Sequence, residues 1–82
     1  MIIFTKHALH KFALLKRHTF TITRNQVLDA VNNPDRIDMS RLPLLIAQRK
    51  IDKTHVLRVV YKKEAGVIKI ITFYPGRTSQ YE

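Results

Sequence analysis

Residues 55–77, HVLRVVYKKEAGVIKIITFYPGR, constrain the fold more than any other part of the chain. Two β-branched runs flank a turn at Lys63-Glu64-Ala65-Gly66, the pattern of a β-hairpin. Side chains alternate between the faces of a strand. If the turn pairs Lys62 with Val67, then Leu57, Val59, Tyr61, Ile68, Ile70 and Thr72 share one face. Val56, Arg58, Val60, Lys62, Lys69, Ile71 and Phe73 share the other. The first face is almost wholly apolar and requires a cover. The second mixes basic heads with apolar stems, as a surface that holds an anion would.

The rest of the composition sharpens this asymmetry. There are 15 Lys and Arg against 6 Asp and Glu, a formal charge of +9 over 82 residues. That excess favours a polyanionic partner, nucleic acid first. A chain of this length makes one domain, and it buries only about 60–65% of its unfolded surface. A homodimer is one way to widen so thin a stability margin. Cysteine is absent, which removes disulfides and thiolate metal sites and suits a cytoplasmic protein. Lys6 and His7 interrupt the N-terminal apolar run before it reaches signal-peptide length. No apolar stretch approaches the ~20 residues of a membrane span, so no membrane partner is expected.

Met1 to Phe4 reads as a short edge strand, and Thr5 can cap a helix over residues 6–17. On that helix Ala8, Leu9, Phe12 and Leu15 form an apolar face. His7, Lys11, Leu14 and His18 form a stripe elsewhere, flanked by His10 and Arg17. A loop over residues 16–21 leads to a second helix. Thr23 and Gln26 fit a capping box there, and Ile22 with Val27 fits a hydrophobic staple. Asn32-Asn33-Pro34 ends that helix. Ile37 and Met39 then alternate with polar residues as a short strand, and residues 44–51 read as another. A tight turn at Asp52-Lys53 pairs Ile51 with Thr54, placing Leu44, Ile46 and Gln48 on the apolar face and Leu45, Ala47 and Arg49 on the mixed one. The expected architecture is α+β, with two N-terminal helices on a twisted antiparallel sheet of three to five strands. The polar tail after Pro75 is expected to be mobile.

On this register Arg49, Arg58, Lys62 and Lys69 form a basic sheet face, followed by Tyr74, Arg77 and Tyr81. Guanidinium forks grip phosphate oxygens and aromatic rings stack on unpaired bases, so this face is the expected RNA contact. Histidine is the side chain suited to proton transfer near neutral pH, and four are present, His7, His10, His18 and His55. The acids are scattered, which argues against a two-metal nuclease. Pro34-Asp35 followed by Gln48-Arg49-Lys50 echoes the PD…(D/E/Q)-x-K nuclease pattern, but supplies a single carboxylate. His7 and His10 lack a third zinc ligand in the sequence. No metal and no cofactor are expected.

The segments FTKHALHKF, QVLDAVNNPDRID and HVLRVVYKKEAGVIKIITFYPGR resemble a family of small prokaryotic domains of unknown function, grouped with the RelE/ParE-like toxins. The resemblance covers nearly the whole chain. It implies two helices packed on an antiparallel sheet and a metal-independent endoribonuclease, the toxin half of a toxin–antitoxin pair. The implied partners are RNA, including ribosome-bound mRNA, and an acidic antitoxin. The family's histidine at the start of helix one falls on His7, its basic residue four later on Lys11, and its strand arginine on Arg58. Its last-strand polar positions fall on Thr72 and Tyr74, and its basic tail on Arg77. In that chemistry His7 moves a proton, Arg58 or Arg77 stabilises charge on phosphorus, and Thr72 or Tyr74 orients the phosphate. Lys11, Arg17, Arg49, Lys62, Lys69 and Tyr81 would hold the RNA. The alternatives are a non-catalytic module for RNA or an acidic protein, and a toxin that blocks a protein target such as gyrase.

Overall fold

A computed structural model describes residues 1–18 and 20–81. Thr19, within the expected loop, and Glu82, one of the six acids, lie outside the described residues. The chain is α+β, in the order β1 (Ile2–Phe4), α1 (Lys6–Arg17), α2 (Arg24–Asn32), β2 (Arg36–Asp38), β3 (Leu45–Lys50), β4 (His55–Glu64), β5 (Val67–Arg77) and α3 (Thr78–Tyr81). The strands form one sheet in the order β1-β5-β4-β3-β2. No helix among the described residues is long and apolar enough to cross a membrane.

Both long helices start where their caps require. Thr5 Oγ1 accepts from the Ala8 N–H at 3.2 Å, and Thr23 and Gln26 close the full capping box. Ile22 and Val27, the two staple residues, are both buried. Phe12 and Leu15 of α1, with Ala8, meet Val27, Ala30 and Val31 of α2 over Leu57, Val59, Tyr61, Ile70 and Phe73 of the sheet. Phe12 and Phe73 lie 4.6 Å apart between ring centroids, which makes them the hinge of this packing.

The sheet departs from expectation in three places. First, it is mixed. β1 runs parallel to β5, pairing Ile2 with Ile68 and Phe4 with Ile70, while every other pair is antiparallel. No hairpin links β1 to β5, so no turn dictates their direction; Thr5 fixes it instead. Its N–H donates to the Ile70 carbonyl at 3.0 Å, and its hydroxyl lies 3.0 and 3.1 Å from the Ile70 and Ile71 carbonyls.

Second, β5 carries a bulge. The β4–β5 hairpin closes at Glu64 and Val67 around Ala65 and Gly66, whose φ values are 49° and 78°. Two positive φ values are what a two-residue hairpin turn of this twist needs. The turn is tighter than the expected pairing by two residues, which leaves the faces unchanged. Tyr61 then pairs with Ile70 but Val60 with Thr72, so Ile71 is an extra residue. One inserted residue inverts every later position. Phe73 therefore points into the core at 0% exposure, and Thr72 and Tyr74 move to the outer face.

Third, the β3–β4 turn holds one residue more than expected. Asp52 Oδ1 accepts from the N–H groups of Thr54 and His55, both at 2.8 Å, and the ladder resumes with Lys50 opposite Val56. Leu45, Ala47 and Arg49 thus face the helices, and Ile46 and Gln48 face away, the reverse of the expected assignment. The tail after Pro75 also forms structure. β5 continues to Arg77, and α3 folds back so that Tyr81 lies against Gly76. A Cβ at Gly76 would come within 3.0 Å of Tyr81 Cδ2, so the glycine makes room for the ring.

Candidate functional site

The outer face of the sheet, opposite α1 and α2, carries a cleft of about 390 Å³ bounded by Asp38, Arg41, Ile46, Arg58, Tyr74 and Tyr81, among others. Arg58 forms its floor. Cross-strand pairing sets Arg58 directly opposite Gln48 on one side and Tyr74 on the other. Its residue is only 6% exposed, so its guanidinium must be satisfied. Nε donates to Tyr74 Oη at 3.1 Å, Nη1 to Gln48 Oε1 at 2.6 Å and Nη2 to Asp38 Oδ2 at 3.0 Å. The Tyr81 ring covers the guanidinium at 4.2 Å. Gln48 Nε2 and Arg36 Nη1 donate to the Tyr81 carbonyl at 3.2 and 3.0 Å, fixing α3 over the site. A guanidinium has five N–H groups, and three are spent here. The other two have no protein partner among the described residues.

Burial weakens the Arg58 charge, but the hydrogen bonds to Tyr74 and Asp38 outweigh it and hold its pKa above the usual arginine value. Asp38 shifts the opposite way. The Ser40 hydroxyl and backbone N–H, followed by Arg58, lower its carboxyl to about 2. Because the folded pKa lies below the unfolded one, the stability carried by ionised Asp38 is complete above pH ~4 and lost as pH falls toward 2. An NMR titration of the carboxyl should place its midpoint near pH 2. Ser40→Ala should raise that midpoint; an unchanged value would show that Ser40 does not hold the carboxylate.

The structure brings together only part of the expected site. Arg58, Tyr74 and Tyr81 converge. Thr72 shares their face, opposite Val60, but does not line the cleft. Arg77 pairs with His55 at the end of the sheet, on the face opposite Arg58. His7, Lys11 and Arg17 lie on α1, across the sheet from the cleft. Arg49 is not part of a basic face. It points toward α2, with Nε 2.8 Å from Asp29 Oδ2, and donates to the Asn33 carbonyl at 2.8 Å. Lys62 and Lys69 do share the outer face, yet both are paired with Glu64, at 2.6 and 3.5 Å. Each of the four sheet cations expected to bind RNA thus has a carboxylate partner inside the molecule, with Lys62 and Lys69 sharing one.

Sequence reasoning missed Asp38, Ser40, Arg41 and Gln48. The available signal was Asp38 itself, a carboxylate placed on a strand and needing a cation. The nuclease-like pattern dissolves into structure. Asp35 Oδ2 accepts from the Lys50 N–H at 2.8 Å, while the Gln48 amide is spent on Arg58 and Tyr81. Among the described residues no three His, Asp or Glu side chains gather as metal ligands. His55 has a carboxylate partner, its Nδ1 lying 3.0 Å from Asp52 Oδ1. Phe20 meets the ring edge-on at 5.2 Å, and the pair secures the β3–β4 turn beneath the helix connection. In comparisons with protein families, curated proteins and solved structures, nothing matches this chain.

Proposed function

We propose that this protein binds RNA through the Arg58 cleft and cleaves it without a metal, as a toxin of the RelE/ParE-like kind with an acidic antitoxin as partner. The observation that carries this reading is the convergence of Arg58, Tyr74 and Tyr81 on one cleft, with two guanidinium N–H groups unspent. A buried, fixed guanidinium is suited to a phosphate whose charge grows in the transition state. Tyr74 Oη beside it can orient a phosphate oxygen, and the two tyrosine rings can stack on unpaired bases. For cleavage, the Asp38 carboxylate in the same cleft takes the 2′-hydroxyl proton and water protonates the leaving 5′-oxygen. Arg41 at the rim has no ion pair among the described residues and adds a free cation.

A non-catalytic RNA-binding module is the second reading. It is favoured by the position of His7, which stands across the sheet from Arg58 and cannot serve the cleft as its base. One experiment separates the two. RNA binding and cleavage are followed with naked single strands and with translating ribosomes, with and without EDTA, for wild type, Arg41→Ala and Tyr74→Phe. The toxin reading expects EDTA-resistant cleavage leaving 2′,3′-cyclic phosphate ends, lowered about 10²–10³-fold by Tyr74→Phe. Arg41→Ala should reduce the slope of log affinity against log salt by about 0.7. Binding without cleavage selects the module. Neither binding nor cleavage overturns both.

A further inference from the structure

Among the described residues, α1 carries the largest group of cations on one element without a carboxylate partner. The sheet cations Arg49, Arg58, Lys62 and Lys69 each have a carboxylate within ion-pair reach. Lys6, Lys11, Lys16 and Arg17 of α1 have none among the described residues, and the helix contains no acid. Lys6, His7, His10, Lys11, Lys16 and Arg17 fill half of its 12 positions. Wound at 3.6 residues per turn, Lys6, His10 and Arg17 fall within an arc of about 40°, with Leu14, His7 and Lys11 following on one flank. Ala8, Phe12 and Leu15 point the other way, into the core. Lys6 and Arg17 are separated by about 16 Å along the axis, and both are exposed.

We infer that this open face of α1 binds the phosphate backbone of a structured RNA, as a second contact surface across the sheet from the Arg58 cleft. The inference rests on the RNA reading above. Long basic side chains on an exposed helix neutralise phosphates without any apolar anchor. A protein interface instead needs a cluster of buried aromatic or aliphatic anchors. The exposed apolar side chains of this face, Leu14 at 37% on one flank and Leu9 at 45% beside Ala13 on the other, are held apart by the Lys6, His10 and Arg17 arc and form no single anchor. The occupant is therefore RNA and not an acidic protein. A short single strand engages the cleft alone, whereas a structured RNA large enough to wrap the domain reaches both faces.

The test compares Lys6→Glu/Arg17→Glu with wild type on two probes: an oligonucleotide of about 4 nucleotides, the low end of single-strand sites, and an RNA hairpin with flanking single strands. Both positions are exposed, and circular dichroism confirms folding. Lys6→Gln/Arg17→Gln repeats the test without new negative charge, and Lys53→Glu/Lys63→Glu controls for net charge. The expected result is a loss of about tenfold or more in hairpin affinity and a salt slope lower by about 1.5, as two phosphate contacts vanish. Tetranucleotide affinity should stay within a factor of two or so, since the double variant leaves the cleft intact. Unchanged hairpin affinity, or an equal loss in the Lys53/Lys63 control, overturns the inference while leaving the RNA reading in place. So does selective loss of binding to a poly-glutamate peptide, which would make α1 a protein-binding face. Wild-type protein that binds neither RNA removes the RNA reading itself, and this inference with it.

Discussion

Phe73→Ala should lower the unfolding free energy by about 3–5 kcal/mol in a denaturant titration. Domains of this size have about 4–12 kcal/mol in total, so the variant loses about a quarter or more of its stability. The cost is large because Phe73 is fully buried and its ring packs on Phe12, which in turn meets Phe4 at 5.9 Å. Deleting it leaves a cavity under α1 that the sheet cannot close. Ile71→Ala, two residues earlier, should cost less than half as much, because Ile71 is the extra residue of the bulge and is only partly buried. Without the bulge both residues would share the outward face and the two variants would cost about the same. A loss below about 1 kcal/mol for Phe73→Ala would rule out the bulge.

That bulge marks the limit of what the sequence discloses. The helices were legible because their signals are local. Thr5 and the Thr23/Gln26 box mark starts, Pro34 marks a stop, and the wheel of α1 separates Ala8, Phe12 and Leu15 from the basic residues, while Leu9, expected on the same apolar face, lies at its edge and is 45% exposed. Register is not local. In VIKIITFYP every residue but Lys69 and Thr72 is apolar or aromatic, so an inserted residue leaves no break in the alternation. The same holds at Asp52, where a side-chain oxygen capping two backbone N–H groups lengthens the turn by one. Each single-residue slip reverses a strand, which sent Arg49 to the wrong face and kept Thr72 and Tyr74 apart from Arg58. Arg58, Tyr74 and Tyr81 were nameable from residue type alone. Asp38 and Gln48 were not, because they reach Arg58 only through correct pairing across three strands.

Arg58→Ala should destabilise the domain by about 2–4 kcal/mol, and the loss should be felt first in α3. Gln48 would lose the donor to its Oε1 in a site where the residue is 5% exposed, and Tyr74 Oη would lose the Nε bond. Asp38 adds less, because its side chain is 30% exposed and water can replace the guanidinium. Tyr81 would lose the surface beneath its ring while keeping its carbonyl bonds to Arg36 and Gln48. Amide exchange in α3 should therefore accelerate by more than the global change accounts for. Arg58→Lys keeps the charge but not the planar fork, so it should recover Asp38 pairing and little else. A variant with alanine within about 0.5 kcal/mol of wild type would show that the network contributes nothing to stability. The expected loss has a functional corollary. A phosphate entering the cleft finds a cation already oriented by Gln48 and Tyr74 but shared with Asp38. Asp38→Asn should then tighten RNA binding by removing the competing charge, while Arg58→Ala abolishes binding in the cleft, and opposite signs at two residues 3.0 Å apart are an outcome that simple unfolding cannot produce.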